Sequence, residues 1–291
     1  MTDARLALDL MVVGAAKSAT SSLVAMLHTA PRTAGNPSGA EIGYFVDDAQ
    51  FARGPEVALA KYFSSAPGSG ELRVGKSAGL MYNATALARL AADSPDVRAV
   101  ALLREPVARA YSAWLWAARA GVEPDTFPDA VEREFAGRDV DLPRPWLRRY
   151  VDQGEYARHL DRVREALGAD RLEVLTMEQF VADGVGCVNA LLAPFDREIT
   201  AETPRAVHAN RSTGVRSPRL ARLMRSPAVR APLRRVLPPG AQRALSRTAM
   251  RANDKAVDVA PLDPGTRARL AEHFRPWNAR LEQQLGRELG W

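Results

Sequence analysis

The stretch that decides the fold lies near the start of the chain, at residues 6–29: LALDLMVVGAAKSATSSLVAMLHT. Its first part, Leu6 to Val13, is a mainly apolar run that ends at Gly14, which predicts a buried strand. The small-residue loop GAAKSAT follows, and residues 21–29 read as a helix. The order strand, loop, helix is typical of an α/β fold.

The rest of the chain continues this alternation. We predict strands at 72–74, 97–103 and 172–175, and helices at about 106–120 and 155–167. Alternation of this kind favours a mainly parallel central sheet flanked by helices in three layers. Residues 264–289 carry a helical apolar stripe, so we expect a closing helix that faces the core and is bent or broken near Pro276.

Composition excludes several classes of protein. The 291 residues are 46% hydrophobic and 25% charged, which is ordinary globular usage and excludes a mainly disordered chain. The single cysteine, Cys187, excludes a disulfide framework and a cysteine-based zinc site. No apolar run reaches the ~18 residues of a membrane helix, and the N-terminus has no secretory pattern. We therefore expect a cytoplasmic protein without a membrane span.

The charge balance points to an anionic ligand or surface. The net charge is +6, and residues 203–253 contain twelve arginines but no acidic residue. A nucleic-acid-binding module is therefore one alternative. Since this region shows no helix-turn-helix and no aromatic stacking pattern, we do not expect a nucleic-acid partner. We interpret about 203–255 as an Arg-rich insertion or lid region.

The first loop is a candidate anion site. Small side chains let the backbone pass close to a ligand, and N–H groups at a helix N-terminus attract negative charge. Lys17 adds a compact positive charge. The candidate cofactor-binding residues are Gly14, Ala15, Ala16, Lys17, Ser18, Ala19, Thr20, Ser21 and Ser22. A nucleotide triphosphatase loop would need a glycine directly before the lysine, which is absent here.

A second candidate contact follows the strand at 97–103. Arg104 stands at the carboxyl end of this strand, where ligands collect in open α/β sheets. Ser112 comes eight residues later, on the predicted helix. An arginine and a hydroxyl at this spacing can converge on one anion. Taken alone, each of the two residues is equally compatible with a structural role.

Together the two segments resemble the sulfotransferases that use 3′-phosphoadenosine 5′-phosphosulfate (PAPS). The family's K-x-G-T-[TS]-x-L element appears as KSATSSL at 17–23, and its R-x-P-x-x-R-x-x-S element as REPVARAYS at 104–112. More of the chain is similar to a bacterial branch that resembles the heparan-type N- and O-sulfotransferases. That similarity includes EIGYF at 41–45, GKSAGLMY at 75–82 and GEY at 154–156. It covers about residues 8–180 well and 260–291 loosely.

The resemblance implies a single P-loop-like sulfotransferase domain over 1–291 and a site in which each residue has a role. Lys17 and Lys76 would stabilise the transferred sulfuryl group, and Glu41 would act as general base. Arg104 and Ser112 would bind the 3′-phosphate, with Arg211, Ser212 and Arg216 as further contacts from a late basic loop. The cofactor would be PAPS, without a metal. The acceptor would be a hydroxyl or amine of a small molecule, glycan or natural product.

One departure keeps an alternative open. Ala19 stands where the family has glycine, so the loop must form its turn with a Cβ present. A sulfotransferase-like protein that binds the nucleotide without turnover is therefore a second alternative. Trp114, Trp116 and Trp146 either form an aromatic rim for the acceptor or pack in the core.

Overall fold

The computed structural model describes residues 4–36, 40–64, 70–138, 147–200, 214–215, 254–255 and 262–291. The chain forms two compact units. The first contains Met1–Pro106, Glu155–Ala209 and Arg275–Trp291, and the second contains Val107–Gly154 and Asn210–Phe274. The two-unit division is a finding that the sequence did not suggest, and the single-domain reading stays a prediction.

The first unit is built on a five-stranded sheet in which every pairing is parallel. Its strands are β1 (Leu10–Gly14), β2 (Thr33–Gly35), β3 (Leu72–Lys76), β4 (Arg98–Leu103) and β5 (Leu172–Thr176). Their order across the sheet is β2-β3-β1-β4-β5. The predicted parallel α/β architecture is confirmed. The short edge strand β2 was not predicted, because three residues are too few to show a hydrophobic period.

Helices occupy most of the remaining described chain. They are α1 (Thr20–Leu27), α2 (Asp48–Phe51), α3 (Pro55–Tyr62), α4 (Ala84–Asp93), α5 (Pro106–Arg119), α6 (Phe127–Phe135), α7 (Tyr156–Leu167), α8 (Met177–Ala182), α9 (Gly184–Leu192) and α10 (Pro264–Leu285). A separate two-stranded antiparallel pair is formed by β6 (Gly214–Val215) and β7 (Asp254–Lys255). The helices predicted after β1 and β4, before β5 and at the end of the chain are all present.

The apolar run of β1 is explained by burial on both faces of the sheet. Met11 and Val13 belong to one hydrophobic cluster, and Leu10 and Val12 belong to another. Because side chains alternate along a strand, a central parallel strand needs apolar residues at consecutive positions. β1 pairs with β3 on one side and with β4 on the other, which makes it the central strand.

The predicted start of this strand at Leu6 is wrong. Leu6 and Leu8 are buried, but their backbone N–H groups donate to side chains: to Asp93 Oδ1 at 2.9 Å and to Ser94 Oγ at 2.8 Å. Ala7 between them has a left-handed φ of 47°. The apolar pattern reports burial, whereas the backbone N–H groups of residues 6–8 donate to side chains at the end of α4 instead of to a neighbouring strand.

The second unit has its own core and a buried polar network. Its hydrophobic cluster includes Ala110, Phe127 and Phe274. In the network, Arg133 Nη2 donates to Glu123 Oε2 at 2.7 Å, and the Tyr150 hydroxyl donates to the same oxygen at 2.9 Å.

The closing helix α10 does not break at its internal proline. It runs continuously from Pro264 to Leu285 through Pro276. Phe274 before the proline and Leu281 after it are each fully buried. Proline removes one backbone donor, and the apolar contacts on both sides of Pro276 keep the two parts helical. The predicted core-facing stripe is present, and a break at Pro276 is wrong.

Candidate functional site

The Lys17 loop leaves the carboxyl end of the central strand. The N–H of Ala15 donates to the Leu102 carbonyl at 2.8 Å, which holds the start of the loop against β4. Lys17 and Ala19 then adopt left-handed φ angles of 74° and 58°, and α1 begins at Thr20. Ala19 therefore forms the turn for which the family uses glycine, with its Cβ in a conformation that L-residues avoid.

Four consecutive backbone donors of this loop have no acceptor among the described residues. Among the residues that the structure describes, none accepts a hydrogen bond from the N–H groups of Ser18, Ala19, Thr20 and Ser21. The Ser18 hydroxyl is fully buried and also has no partner there. Buried polar groups are normally satisfied, so a cradle of unpaired donors at a helix N-terminus fits a bound anion.

Packing at the base of this loop requires a glycine at position 14. A Cβ at this position would lie 2.0 Å from the sulfur of Met81. Met81 is fully buried, so it has little room to move away.

Lys76 joins the loop to the predicted general base. It is the last residue of β3 and only 6% exposed. Its Nζ lies 2.9 Å from Ser21 Oγ at the start of α1 and 2.9 Å from Glu41 Oε1. The ammonium therefore lies between a hydroxyl of the candidate cofactor loop and the carboxylate of the predicted base.

Glu41 is fixed by its neighbours yet remains open to solvent. Its second oxygen, Oε2, accepts the N–H of Ala78 at 2.6 Å. The following residue, Ile42, donates its N–H to the Lys76 carbonyl at 2.7 Å and buries its side chain. The Glu41 side chain is half-exposed. A carboxylate that is oriented on one side and accessible on the other is suited to accept a proton from an incoming hydroxyl.

Arg104 lies just past the end of β4 and touches the same loop. Its Nη1 donates to the Lys17 carbonyl at 3.4 Å, and its own carbonyl accepts the Tyr156 hydroxyl at 2.9 Å. The structure thus brings five predicted residues into one connected group: Lys17, Ser21, Glu41, Lys76 and Arg104. This group lies at the carboxyl edge of β1, β3 and β4, where open α/β sheets bind ligands.

Four further predicted contacts are not tested by the described residues. Ser112 is buried on α5, in the second unit. Arg211, Ser212 and Arg216 lie outside the described residues. Their roles, and the convergence of Ser112 with Arg104, stay predictions.

Two contacts of the group were not predicted from the sequence. They are the Ala78 N–H on Glu41 and the Tyr156 hydroxyl on Arg104. A backbone donor leaves no mark in the sequence. Tyr156 entered the sequence analysis only as part of the GEY segment, with no role assigned to it.

The tryptophans give a mixed result for the predicted acceptor rim. Trp114 stacks on Tyr111 with ring centroids 5.6 Å apart, and its Nε1 donates to the Asp125 carbonyl at 3.0 Å. Trp114 is therefore a packing residue of the second unit. Trp116 is 44% exposed, and Trp146 lies outside the described residues.

Comparison with solved structures identifies the fold. A sulfotransferase from Alicyclobacillus acidocaldarius superposes with a TM-score of 0.65 at 20% identity, covering 97% of each chain. The chain has the fold of this sulfotransferase. The sulfotransferase domain from the curacin biosynthetic pathway superposes more loosely, with a TM-score of 0.46 at 14% identity over 98% of this chain and 100% of that one. A retinol dehydratase in complex with androsterone and inactive cofactor PAP superposes with a TM-score of 0.46 at 13% identity. This superposition covers 99% of this chain and 83% of that one.

No family model matches the chain, and no curated protein matches it in sequence. At these sequence identities the comparison establishes the sulfotransferase fold and does not establish a function. In the described ranges, no group of three or more His, Cys, Asp or Glu residues could hold a metal ion. None of the described helices is both long and apolar enough to cross a membrane.

Proposed function

We propose that the chain is a PAPS-dependent sulfotransferase, which moves a sulfuryl group to a hydroxyl or amine of a small-molecule or glycan acceptor. One observation carries the proposal: a loop whose N–H groups at 18–21 have no acceptor in the described part of the chain is joined through Lys76 to a half-exposed carboxylate. The loop is suited to bind an anion, and the carboxylate is suited to act as a base. The lysine between them is suited to hold the sulfuryl group during transfer. The sulfotransferase fold and the sequence resemblance support the same reaction.

The loop binds the 5′-phosphosulfate end of the cofactor. The N–H groups of Ser18 to Ser21 and the Ser18 hydroxyl donate to its oxygens, and Lys17 supplies positive charge. The 3′-phosphate is bound by Arg104 and Ser112, with Arg211, Ser212 and Arg216 as proposed further contacts. Arg104 suits this task because its guanidinium carries five N–H donors, of which one has an acceptor within the described ranges.

The transfer step needs a base, a stabilised leaving group and a held sulfonate. Glu41 accepts the proton of the acceptor hydroxyl as the acceptor oxygen bonds to sulfur. Lys17 stabilises the charge that develops on the bridging oxygen as the bond between that oxygen and sulfur breaks. Lys76 holds the sulfonate oxygens from the side of Glu41. Positioning and charge stabilisation dominate such in-line transfers, and the proposed step uses no metal.

The first test is calorimetric titration with 3′-phosphoadenosine 5′-phosphate (PAP), the desulfated product, in parallel with AMP. The proposed site should bind PAP much more tightly than AMP, because only PAP carries the 3′-phosphate. Equal binding of the two nucleotides, or no binding, would overturn the cofactor assignment. Acceptors are then screened with PAPS by measuring the release of PAP. Tight PAP binding without release for any acceptor class would favour the non-catalytic alternative.

A further inference from the structure

A buried tyrosine outside the predicted site holds the backbone of Arg104. The Tyr156 hydroxyl donates to the Arg104 carbonyl oxygen at 2.9 Å. Tyr156 is only 1% exposed and is the first residue of α7. Its ring lies against Trp291, with ring centroids 6.0 Å apart. The side chain is therefore fixed at both its ring and its hydroxyl.

The sheet does not hold Arg104 in place by itself. The pairing of β4 with β5 ends at Leu103, which lies opposite Thr176, and the pairing of β4 with β1 ends earlier, at Ala101. Arg104 is the first residue beyond both ladders. The Tyr156 hydroxyl thus takes over the role of a neighbouring strand for the Arg104 carbonyl, at the position where the chain leaves the sheet.

The hydrogen-bond chain continues into the loop. Arg104 Nη1 donates to the carbonyl of Lys17, whose own φ is 74°. Tyr156, Arg104 and Lys17 form one connected path between α7, the end of β4 and the loop after β1.

We propose that Tyr156 is a positioning residue for recognition of the 3′-phosphate. It sets the backbone of Arg104, from which the guanidinium would reach the 3′-phosphate. This inference rests on the proposed function, since it needs Arg104 to contact the 3′-phosphate. Removal of the Tyr156 hydroxyl should weaken the discrimination between PAP and AMP, because the arginine that reads the 3′-phosphate loses its anchor.

The test is calorimetric titration of Tyr156→Phe with PAP and with AMP. The variant keeps the ring and removes one hydrogen bond, so we expect PAP affinity to fall about tenfold and AMP affinity to stay within about twofold. Tyr44→Phe is the matched control. Tyr44 is also buried, and its hydroxyl has no hydrogen-bond partner among the described residues. It should retain the wild-type ratio of the two affinities.

A double-mutant cycle separates positioning from general damage. In an Arg104→Ala background, Tyr156→Phe should cause no further loss of PAP affinity, since the residue through which it acts is gone. An unchanged PAP-to-AMP ratio in Tyr156→Phe would overturn the inference, as would an equal loss for both nucleotides. A wild-type protein that does not prefer PAP to AMP would instead overturn the proposed function.

If Tyr156→Phe fails to fold, hydrogen exchange of the wild-type protein gives the answer. PAP, but not AMP, should slow amide exchange at the start of α7, because Arg104 links the 3′-phosphate to Tyr156. Protection by PAP that stops at the loop and at the end of β4 would contradict the inference.

Discussion

Two glutamate–cation pairs show how differently the two units use charge. In the first unit, Lys76 is 6% exposed and its partner Glu41 is 50% exposed. In the second, Arg133 is 11% exposed and its partner Glu123 is fully buried. Glu123 Oε2 accepts both Arg133 and the Tyr150 hydroxyl, and its Oε1 accepts the N–H of Asp125 at 3.1 Å. Burial and the Glu123 charge raise the pKa of Tyr150 far above its ordinary value, so its hydroxyl stays a donor.

The difference separates a pair built for stability from one suited to chemistry. A buried carboxylate whose oxygens are all hydrogen-bonded has no room for a substrate, and losing its partner is costly. A half-exposed carboxylate held by one lysine and one backbone N–H keeps free lone pairs on the solvent side. Exposure and remaining hydrogen-bond capacity thus distinguish the candidate base from a structural acid of the same residue type.

The largest expected effect comes from removing the candidate base. Glu41→Gln should lower turnover by roughly 10²–10⁴-fold, because the amide cannot accept the proton. PAP affinity should stay within about twofold, and the free energy of unfolding should fall by about 1 kcal/mol or less, since the pair is half-exposed. The measurement is PAP release from PAPS with the acceptor chosen in the screen. Activity that survives this substitution would show that another group is the base.

The next effect concerns the lysine that joins the loop to Glu41. Lys76→Met keeps the buried stem but loses the contacts with Ser21 and Glu41, so turnover should fall by roughly 10²–10³-fold. Lys61→Met is the matched control, because Lys61 is exposed and contacts Gln50 instead. If the two variants lose turnover equally, the contacts of Lys76 with Ser21 and Glu41 do not contribute to catalysis.

For the Glu123–Arg133 pair we expect a loss of stability without a loss of PAP affinity. Glu123→Gln should lower the free energy of unfolding by about 3 kcal/mol, since Arg133 keeps its ion pair with the more exposed Asp125 but loses the charge of its fully buried partner. Urea unfolding measures this loss, and calorimetry at low temperature should find PAP affinity within about twofold of wild type. A variant of normal stability with lost PAP affinity would remove the contrast between the two pairs.

The smallest expected effect tests strain in the loop. Ala19→Gly should raise the free energy of unfolding by up to about 1 kcal/mol, because glycine tolerates the left-handed φ of 58°. Ala25→Gly, within α1, should lower it by about 1 kcal/mol. Thermal unfolding of the two variants gives the signs. Destabilisation by both would mean that Ala19 is not strained.

The sequence predicted those parts of the site that depend on chain order. Lys17 and Arg104 each follow an apolar run, so their places at strand ends could be read from the pattern alone. Glu41 and Lys76 carried no such local signal and were assigned by resemblance. The start of β1 was wrong because Leu6 and Leu8 are buried without joining the ladder, and burial is all that an apolar pattern reports.

The sequence by itself therefore determined the α/β class, the candidate anion-binding loop and the two cations that follow strands, because these follow from hydrophobic period and neighbouring residue types. Only the tertiary structure decided that Lys76 lies between Ser21 and Glu41, and that Tyr156 anchors Arg104. The order β2-β3-β1-β4-β5 places Lys76 and Arg104 on opposite sides of the central strand. Strand order depends on long-range pairing, which no local pattern records.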